Sequence, residues 1–423
     1  MGMRIRYVKL VIVFLILAAP RLFALDISNP YSDLVGFFEG FVDENEGLTT
    51  FRSLMIPAGG RAEALGSSFT ALANDIGFFE SNPAGSSTMR NTELAVFHNN
   101  WIADSRLETV SYATRLENLG FGASVRCFYV PFTEYNTFGE RVSRGYYSET
   151  FATLNVSYNF LAGYYFKGIA VGANIKAGYR SVPDYSNNYG HIDEDSGDEQ
   201  SAFAIMGDVG AQTRFNLFKL YNAREPNFHV GLSLRNIGPP VLGEPVPTLA
   251  TLGASWKPAA PVTIAAEVQQ PLNLVDPHLS GTMYYGAGVM VEFLSMFTFL
   301  GGLQLKGANP RMSIGGEFTV KDLQFNVNYT LDMTTQAALF NRISLSAKLS
   351  LGDRGRAVRA KQVEELYVEG LKLYATGKLE EAIVIWQEAL AIDKRFDPAV
   401  EGVNAASTTL AIQRRIKEIQ QLD

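Results

Sequence analysis

The chain has 423 residues, 47% of them hydrophobic and 12% aromatic, with 43 acidic side chains against 36 basic ones and a formal charge of −7. That length suits two or three soluble domains or one large barrel with an appendage, and the acidic balance argues against a nucleic-acid partner, which asks for a basic surface. One cysteine, Cys127, leaves no disulfide framework and no thiolate metal cluster.

The first element in chain order is a targeting segment. Arg4, Arg6 and Lys9 form a basic start, and Leu10 to Ala19 is an unbroken apolar run. That run is too short to span a bilayer as a helix, which needs about 20 residues, so it predicts a signal peptide over 1–24 and an exported chain.

Residues 25–91 follow, too long for a linker. They contain Phe78 and Phe79 just ahead of Asn82-Pro83-Ala84-Gly85. The residue before a proline avoids the α region and glycine accepts positive φ, so this is turn chemistry. An ordinary surface turn gives two large apolar rings no reason to be there.

From Thr92 to Leu351 apolar and polar residues alternate over roughly ten positions, then turn residues intervene and the alternation resumes. Ile343, Leu345, Ala347, Leu349 and Leu351 alternate with Ser344, Ser346, Lys348 and Ser350. Leu323, Phe325, Val327, Tyr329 and Leu331 alternate with Gln324, Asn326, Asn328 and Thr330 in the same way. Successive strand residues face opposite sides, so each segment has an apolar face and a wet one. About fourteen such segments can be counted. A soluble β-sandwich also alternates, but its strands run about 5 or 6 residues, whereas about ten is the length a tilted strand needs to cross a bilayer. The gaps after the third and fifth segments, roughly 131–148 and 181–201, are the longest, and those after even segments are mostly short; residues 216–226 are an exception. Long loops on one side and tight turns on the other are the asymmetry of outer-membrane barrels. The expectation is an all-β transmembrane antiparallel barrel over 92–351. Its wet face, with Arg126, Lys176, Arg180, Asp208, Arg214, Arg235, Glu267 and Glu292, points into the lumen.

Past Leu351 the period becomes helical, predicting a small α-helical domain over 352–423. Gly370, Leu373, Gly377, Leu379, Ala382, Trp386, Ala389 and Leu390 fall at the positions of one tetratricopeptide repeat, although Lys394 replaces its late proline, which comes at Pro398. One repeat cannot bury both its faces, so the tail must dock on the barrel, pair with a copy, or receive a partner. Leu373, Leu379 and Trp386 are the expected partner-binding residues, and an even strand count puts the tail in the periplasm with the N-terminus.

No catalytic motif or metal-ligand spacing is present, so neither enzymatic activity nor a cofactor is expected. The acidic stretch His191 to Glu199 offers calcium-like oxygen ligands, with a solvated outer rim as the simpler account.

The segment from Gly60 to Gly85 resembles the N-terminal hatch of the FadL family, outer-membrane transporters of long-chain fatty acids and other hydrophobic compounds. Gly60-Arg61-Ala62, Ala71, Asp75 and Asn82-Pro83-Ala84-Gly85 occur in that family's order. The resemblance implies a lumen plugged by a hatch, a hydrophobic ligand such as a long-chain fatty acid, and outer-membrane lipid around the barrel. It makes Phe78, Phe79, Asn82, Pro83, Ala84 and Gly85 hatch or gate residues. It also implies sideways release through a kinked third strand, for which Gly120 and Gly122 are candidates. The helical tail is a departure. It raises the alternative of a PorV-type structural or secretion adaptor recruiting a periplasmic partner through residues 355–423. A dry apolar cavity beside the hatch would favour uptake, and a charge-filled lumen would oppose it.

Overall fold

In a computed structural model that describes residues 36, 38 and 41–420, apart from 103, 186–195, 295 and 334–340, the alternating segments form fourteen antiparallel strands. They are β1 (Glu93–Asn100), β2 (Arg106–Leu116), β3 (Leu119–Tyr135), β4 (Arg141–Phe160), β5 (Ile169–Ser181), β6 (Ala202–Phe215) and β7 (Phe228–Ile237). The second half is β8 (Thr248–Ala259), β9 (Val262–Leu272), β10 (Tyr284–Leu294), β11 (Phe297–Lys306), β12 (Asn309–Val320), β13 (Leu323–Asp332) and β14 (Arg342–Ser350). Each pairs with its sequence neighbours, and β1 closes on β14 with Phe97 opposite Ser346, so the sheet is a closed barrel without a free edge. Among the described residues no helix is long and apolar enough to cross a membrane, and the strands carry the outward apolar belt. Ile343, Leu345, Phe325, Val327, Val171 and Ile175 are exposed on it, while Ser344, Ser346, Asn326, Asn328, Asn174 and Lys176 are buried inside.

One expected loop is instead strand. The gap at 131–148 is mostly an extension of the β3–β4 hairpin, with Tyr129 and Tyr146 edge to face at 6.1 Å and a turn at Asn136–Glu140. Its polar and aromatic residues hid the pairing. The signal segment and residues 191–195 of the acidic stretch lie outside the described residues.

The hatch runs through the lumen. Its pieces are a 3-10 turn at Arg52–Met55, the short helix α1 (Gly60–Ala64), and 3-10 turns at Ile76–Glu80 and Pro83–Thr88. The chain enters at the end of the barrel that carries the longer loops. There the Asp43 carboxylate accepts from Tyr284 Oη at 3.4 Å and Asn45 Nδ2 donates to the Ser280 carbonyl at 3.1 Å. It leaves at the opposite end, where β1 starts. The first described part of the chain is therefore at the loop end, across the barrel from the tail; the N-terminus, expected on the tail's side, lies outside the described residues. The strand count fixes where β1 and β14 meet, but not where the hatch begins.

The tail is three helices, α2 (Arg356–Ala375), α3 (Leu379–Ile392) and α4 (Asp397–Gln420). Trp386 is fully buried between them and donates its indole N–H to the Tyr367 carbonyl at 3.1 Å. Gly370 has to lack a side chain, because a Cβ there would sit 2.3 Å from the Trp386 nitrogen. The tail completes its core against the barrel. Tyr164, from the β4–β5 connection, stacks edge to face on Phe396 at 4.9 Å, and the Asp397 carboxylate accepts from the backbone N–H groups of Tyr164 and Tyr165. Arg224, in the long β6–β7 connection, pairs with Glu364 on α2. The exceptional connection at 216–226 thus carries part of the docking site. Leu379 and Trp386 are buried and Leu373 packs on the same cluster, so these three form the tail's interior instead of a partner surface. Helical spacing marks an apolar face, and here the chain itself covers that face.

Replacing Trp386 with alanine should cost about 3–5 kcal/mol and unfold the tail alone. Limited proteolysis should then release fragments of 356–420 while the barrel stays intact.

Candidate functional site

The hatch and the wall around it form the candidate site. Each hatch element is held by polar wall residues on several strands. Asn82 is completely buried and fully used: Oδ1 accepts from the Ala84 N–H at 3.1 Å, while Nδ2 donates to the carbonyls of Thr70 at 3.1 Å and Ala211 on β6 at 3.0 Å. It caps the 3-10 turn that Pro83 begins, as proline's fixed φ favours. The Pro83 carbonyl accepts from Asn155 Nδ2 on β4 at 2.9 Å. Ser157, two residues further along β4, binds Ser86 Oγ at 2.6 Å and accepts from the Ser87 N–H at 2.7 Å.

Phe78 and Phe79 stack with ring centroids 4.3 Å apart. They pack in a buried cluster with Phe69, Ile76, Met89, Phe97 on β1, Leu107 on β2 and Leu300 on β11. The rings therefore face the barrel wall, in a lumen that also holds a second apolar cluster around Phe51, Phe151 and Met206. Gly85 plays a different part from the one its turn setting suggests. Its φ is not positive; it is glycine because a Cβ would lie 2.3 Å from the Phe78 Cβ.

The same constraint explains Gly120 and Gly122. A Cβ at Gly120 would meet the Ser86–Ser87 backbone at 2.3 Å, and one at Gly122 would meet the Phe79 ring at 2.7 Å. The β3 ladder runs unbroken through both glycines on both sides, and its one irregularity is at Glu134/Tyr135. These positions make room for the hatch, and the pairing of β3 is continuous across them.

Two charge clusters pin the hatch. The first lies toward the tail end. Arg61 on α1 grips Glu317 on β12 with two bonds, Nε to Oε2 at 2.8 Å and Nη2 to Oε1 at 2.5 Å. Asp75 on the hatch accepts from Lys348 Nζ on β14 at 2.8 Å and lies 3.7 Å from Arg61. Burial would raise the Asp75 carboxyl, but the charges of Lys348 and Arg61 outweigh it and hold the group below the ordinary carboxylate range. In the second cluster, Arg126 on β3 pairs with Glu80 at 2.7 Å and donates to the carbonyls of Ser53 and Ile56. Glu80 in turn accepts from the Ala58 N–H at 2.9 Å. One guanidinium thus ties the Ser53–Ile56 stretch of the hatch to Glu80.

Of the residues expected on the wet face, Arg126, Lys176, Asp208 and Glu267 are buried within the lumen. Lys176 pairs with Asp208 at 2.8 Å, and Glu267 accepts from the Thr70 N–H at 2.8 Å. Arg180, Arg214 and Arg235 are partly covered; Glu292 is more open, pairing with Lys257 at the tail end. Arg61, Asp75 and Glu80 carry the main hatch ties, yet nothing local marks them as doing so. Arg61 and Glu317 are 256 positions apart.

Space in the lumen is limited. The cavity beside Ile76, Phe79 and Phe151 is about 40 Å³. A larger one of about 370 Å³ opens between the hatch and β10–β14, lined by Arg61, Asp75, Glu93, Asp322 and Lys348 among others. It is polar, in contrast to the mostly apolar pockets that hold small hydrophobic ligands.

Asp75→Asn removes the carboxylate that Lys348 contacts most closely and leaves Lys348 and Arg61 with Glu317, and Glu93 nearby, in a buried setting. It should destabilise the hatched barrel by about 3–5 kcal/mol in urea titrations at neutral pH. A carboxyl depressed in the folded chain stabilises fully above its unfolded pKa of about 3.9, and that contribution is lost as pH falls through the lower folded value. The gap between parent and variant should therefore close on acidification below about pH 4.

Residues 35–354 match the model of the uncharacterised protein family UPF0164. A UPF0164 protein of Treponema pallidum (strain Nichols) is 32% identical over 387 residues, spanning 88% of this chain and 86% of the relative. A second from the same organism is 27% identical over 396 residues, spanning 87% and 78%. Among solved structures, the Pseudomonas putida toluene transporter TodX is similar at 12% identity with a TM-score of 0.47, over 69% of this chain and 96% of that one. A Pseudomonas aeruginosa FadL homologue is similar at 11% identity and a TM-score of 0.42, over 70% and 97%. The chain belongs to the UPF0164 family.

Proposed function

We propose that the protein is an outer-membrane channel, closed in this conformation, that admits long-chain fatty acids or similar hydrophobic molecules when its hatch shifts. The observation that carries this reading is the apolar cluster at the hatch–wall contact, with Phe78 and Phe79 stacked against β1–β3 and a second apolar contact of Phe51 with Phe151 on β4. Rings in a permanent plug would gain as much from packing among themselves. Here the wall supplies Phe97, Leu107 and Ala113, so a displaced hatch bares an apolar track on both surfaces. The outward apolar belt supports a barrel seated in a bilayer, and the even strand count, which returns the chain to the side where β1 starts, supports a periplasmic tail.

The closed state sets the mechanism. The cavity beside the rings is far below the roughly 300–1,000 Å³ of a small-molecule pocket, so binding and hatch movement must occur together. No covalent step is involved. Phe78, Phe79, Asn82, Pro83, Ala84 and Gly85 would be the moving gate, and the Arg61–Glu317 and Lys348–Asp75 pairs the latch that opposes it.

A specific observation also favours the adaptor alternative. The lumen is filled and rich in buried ion pairs, the feature expected to oppose uptake, and the helical tail is firmly docked. In that reading the hatch never moves and the tail recruits a periplasmic protein.

Binding of radiolabelled oleate to the full chain refolded in detergent separates the two. The channel reading expects saturable binding that strengthens in Asp75→Asn, because the latch is weaker. Absence of saturable binding in both parent and variant would overturn it.

A further inference from the structure

We propose that the helical tail controls how firmly the hatch is seated, with Arg356 as the clamp. This concerns hatch seating and holds whatever the channel admits.

The base of the hatch is Met89, whose side chain is completely buried in the same cluster as Phe78 and Phe79. Its carbonyl oxygen accepts from two guanidinium groups. Arg115 on β2 donates Nη1 at 3.3 Å, and Arg356 donates Nη2 at 3.4 Å. The same Arg356 nitrogen donates to the Arg90 carbonyl at 2.5 Å, and Nη1 reaches the Arg115 carbonyl at 3.5 Å. A single side chain therefore joins the last residues of the hatch to the end of β2. Only a planar fork with several donors makes this set of contacts; a lysine is a compact charge on a flexible stem.

Arg356 belongs to the tail, as the first residue of α2. The start of that helix is fixed by Asp353, which accepts from the N–H groups of Gly355 and Ala357 at 2.9 and 2.6 Å. The rest of the tail is fixed to barrel turns. Arg359 pairs with Glu117 at 2.7 Å, the Asp397 carboxylate caps the Tyr164 N–H at 3.0 Å, and Tyr165 Oη donates to Glu401 at 3.0 Å. These contacts lie on the turns beside β2–β5 and do not touch the hatch. A helix of 20 residues is about 30 Å long and rigid, so tilting its far end moves its first residue. Anything that lifts α3 and α4 off the Tyr164–Tyr165 turn therefore draws the guanidinium away from Met89. The tail is placed to convert an event in the periplasm into a looser or tighter hatch.

The test uses the full chain in lipid vesicles, with Cys127→Ser and a reporter thiol at the buried hatch position Ser87→Cys. A maleimide reagent reports how often the hatch opens, and heat-modifiable gel mobility confirms that each barrel is folded. Arg356→Ala should raise the labelling rate about ten- to hundredfold, the effect of losing charge-assisted bonds to a buried carbonyl. Arg356→Lys should give a smaller rise. A Glu117→Ala/Asp397→Ala double variant keeps the Arg356 side chain and removes two of the tail's docking contacts, loosening it while Arg224–Glu364 and Tyr164–Phe396 remain, and should also raise the rate. Rates within about twofold of the parent in all variants would overturn the proposal. So would a rise in the Arg356 variants without one in the double variant, since Arg356 would then act locally and not through the tail.

Discussion

A closed barrel of fourteen strands encloses more space than its own side chains fill, and the structure depends on how that space is filled. Filling it with another stretch of the same chain creates a polar problem, because hatch backbone groups away from water need partners. The wall solves it with side chains aimed inward: Asn155 and Ser157 for the Pro83–Ser87 turn, Arg126 for Ser53 and Ile56, and Glu267 for Thr70. Close approach solves the rest. Gly120, Gly172 and Gly210 let strand backbones come up to the hatch where any Cβ would collide. The hatch is thus fitted to one position, with two buried charge clusters fixing it at separate heights.

That arrangement can be both stable and movable. Buried ion pairs contribute little net stability against an apolar alternative, but breaking one partner away is costly. In the proposed channel, a latch of this kind would hold a definite closed state and give way as a unit when Arg61 leaves Glu317. The apolar cluster around Phe78 and Phe79 is what that proposed release would expose. The tail adds a second constraint from outside the lumen, because a lone repeat with an incomplete core needs a surface to finish it. Tyr164 and Phe396 supply that contact, and the docking brings Arg356 against the hatch base.

Short-range pattern carried most of the architecture. Alternation at Leu323–Leu331 and Ile343–Leu351 located strands, their number and their inward faces, since a period of two survives any tertiary context. Turn chemistry identified Asn82-Pro83 as a turn, and the structure makes Asn82 its cap. What pattern could not reach was any reason lying far away in the chain. Gly85, Gly120 and Gly122 read locally as turn or kink residues, but each is set by what a missing Cβ would strike. Trp386 read as an exposed seam because spacing marks an apolar face without saying what covers it. The Arg61–Glu317 and Asp75–Lys348 pairs join residues more than 250 positions apart, beyond any local signal.

In the proposed channel, a hydrophobic ligand displaces the hatch that closes the lumen. Hydrogen–deuterium exchange on the full chain in lipid nanodiscs, with and without saturating oleate, addresses it most directly. Amides of residues 69–88 should be as protected as the strands without oleate, and should exchange faster with it while strand amides stay unchanged. Identical hatch protection in both conditions, with oleate shown to be bound, would contradict the account.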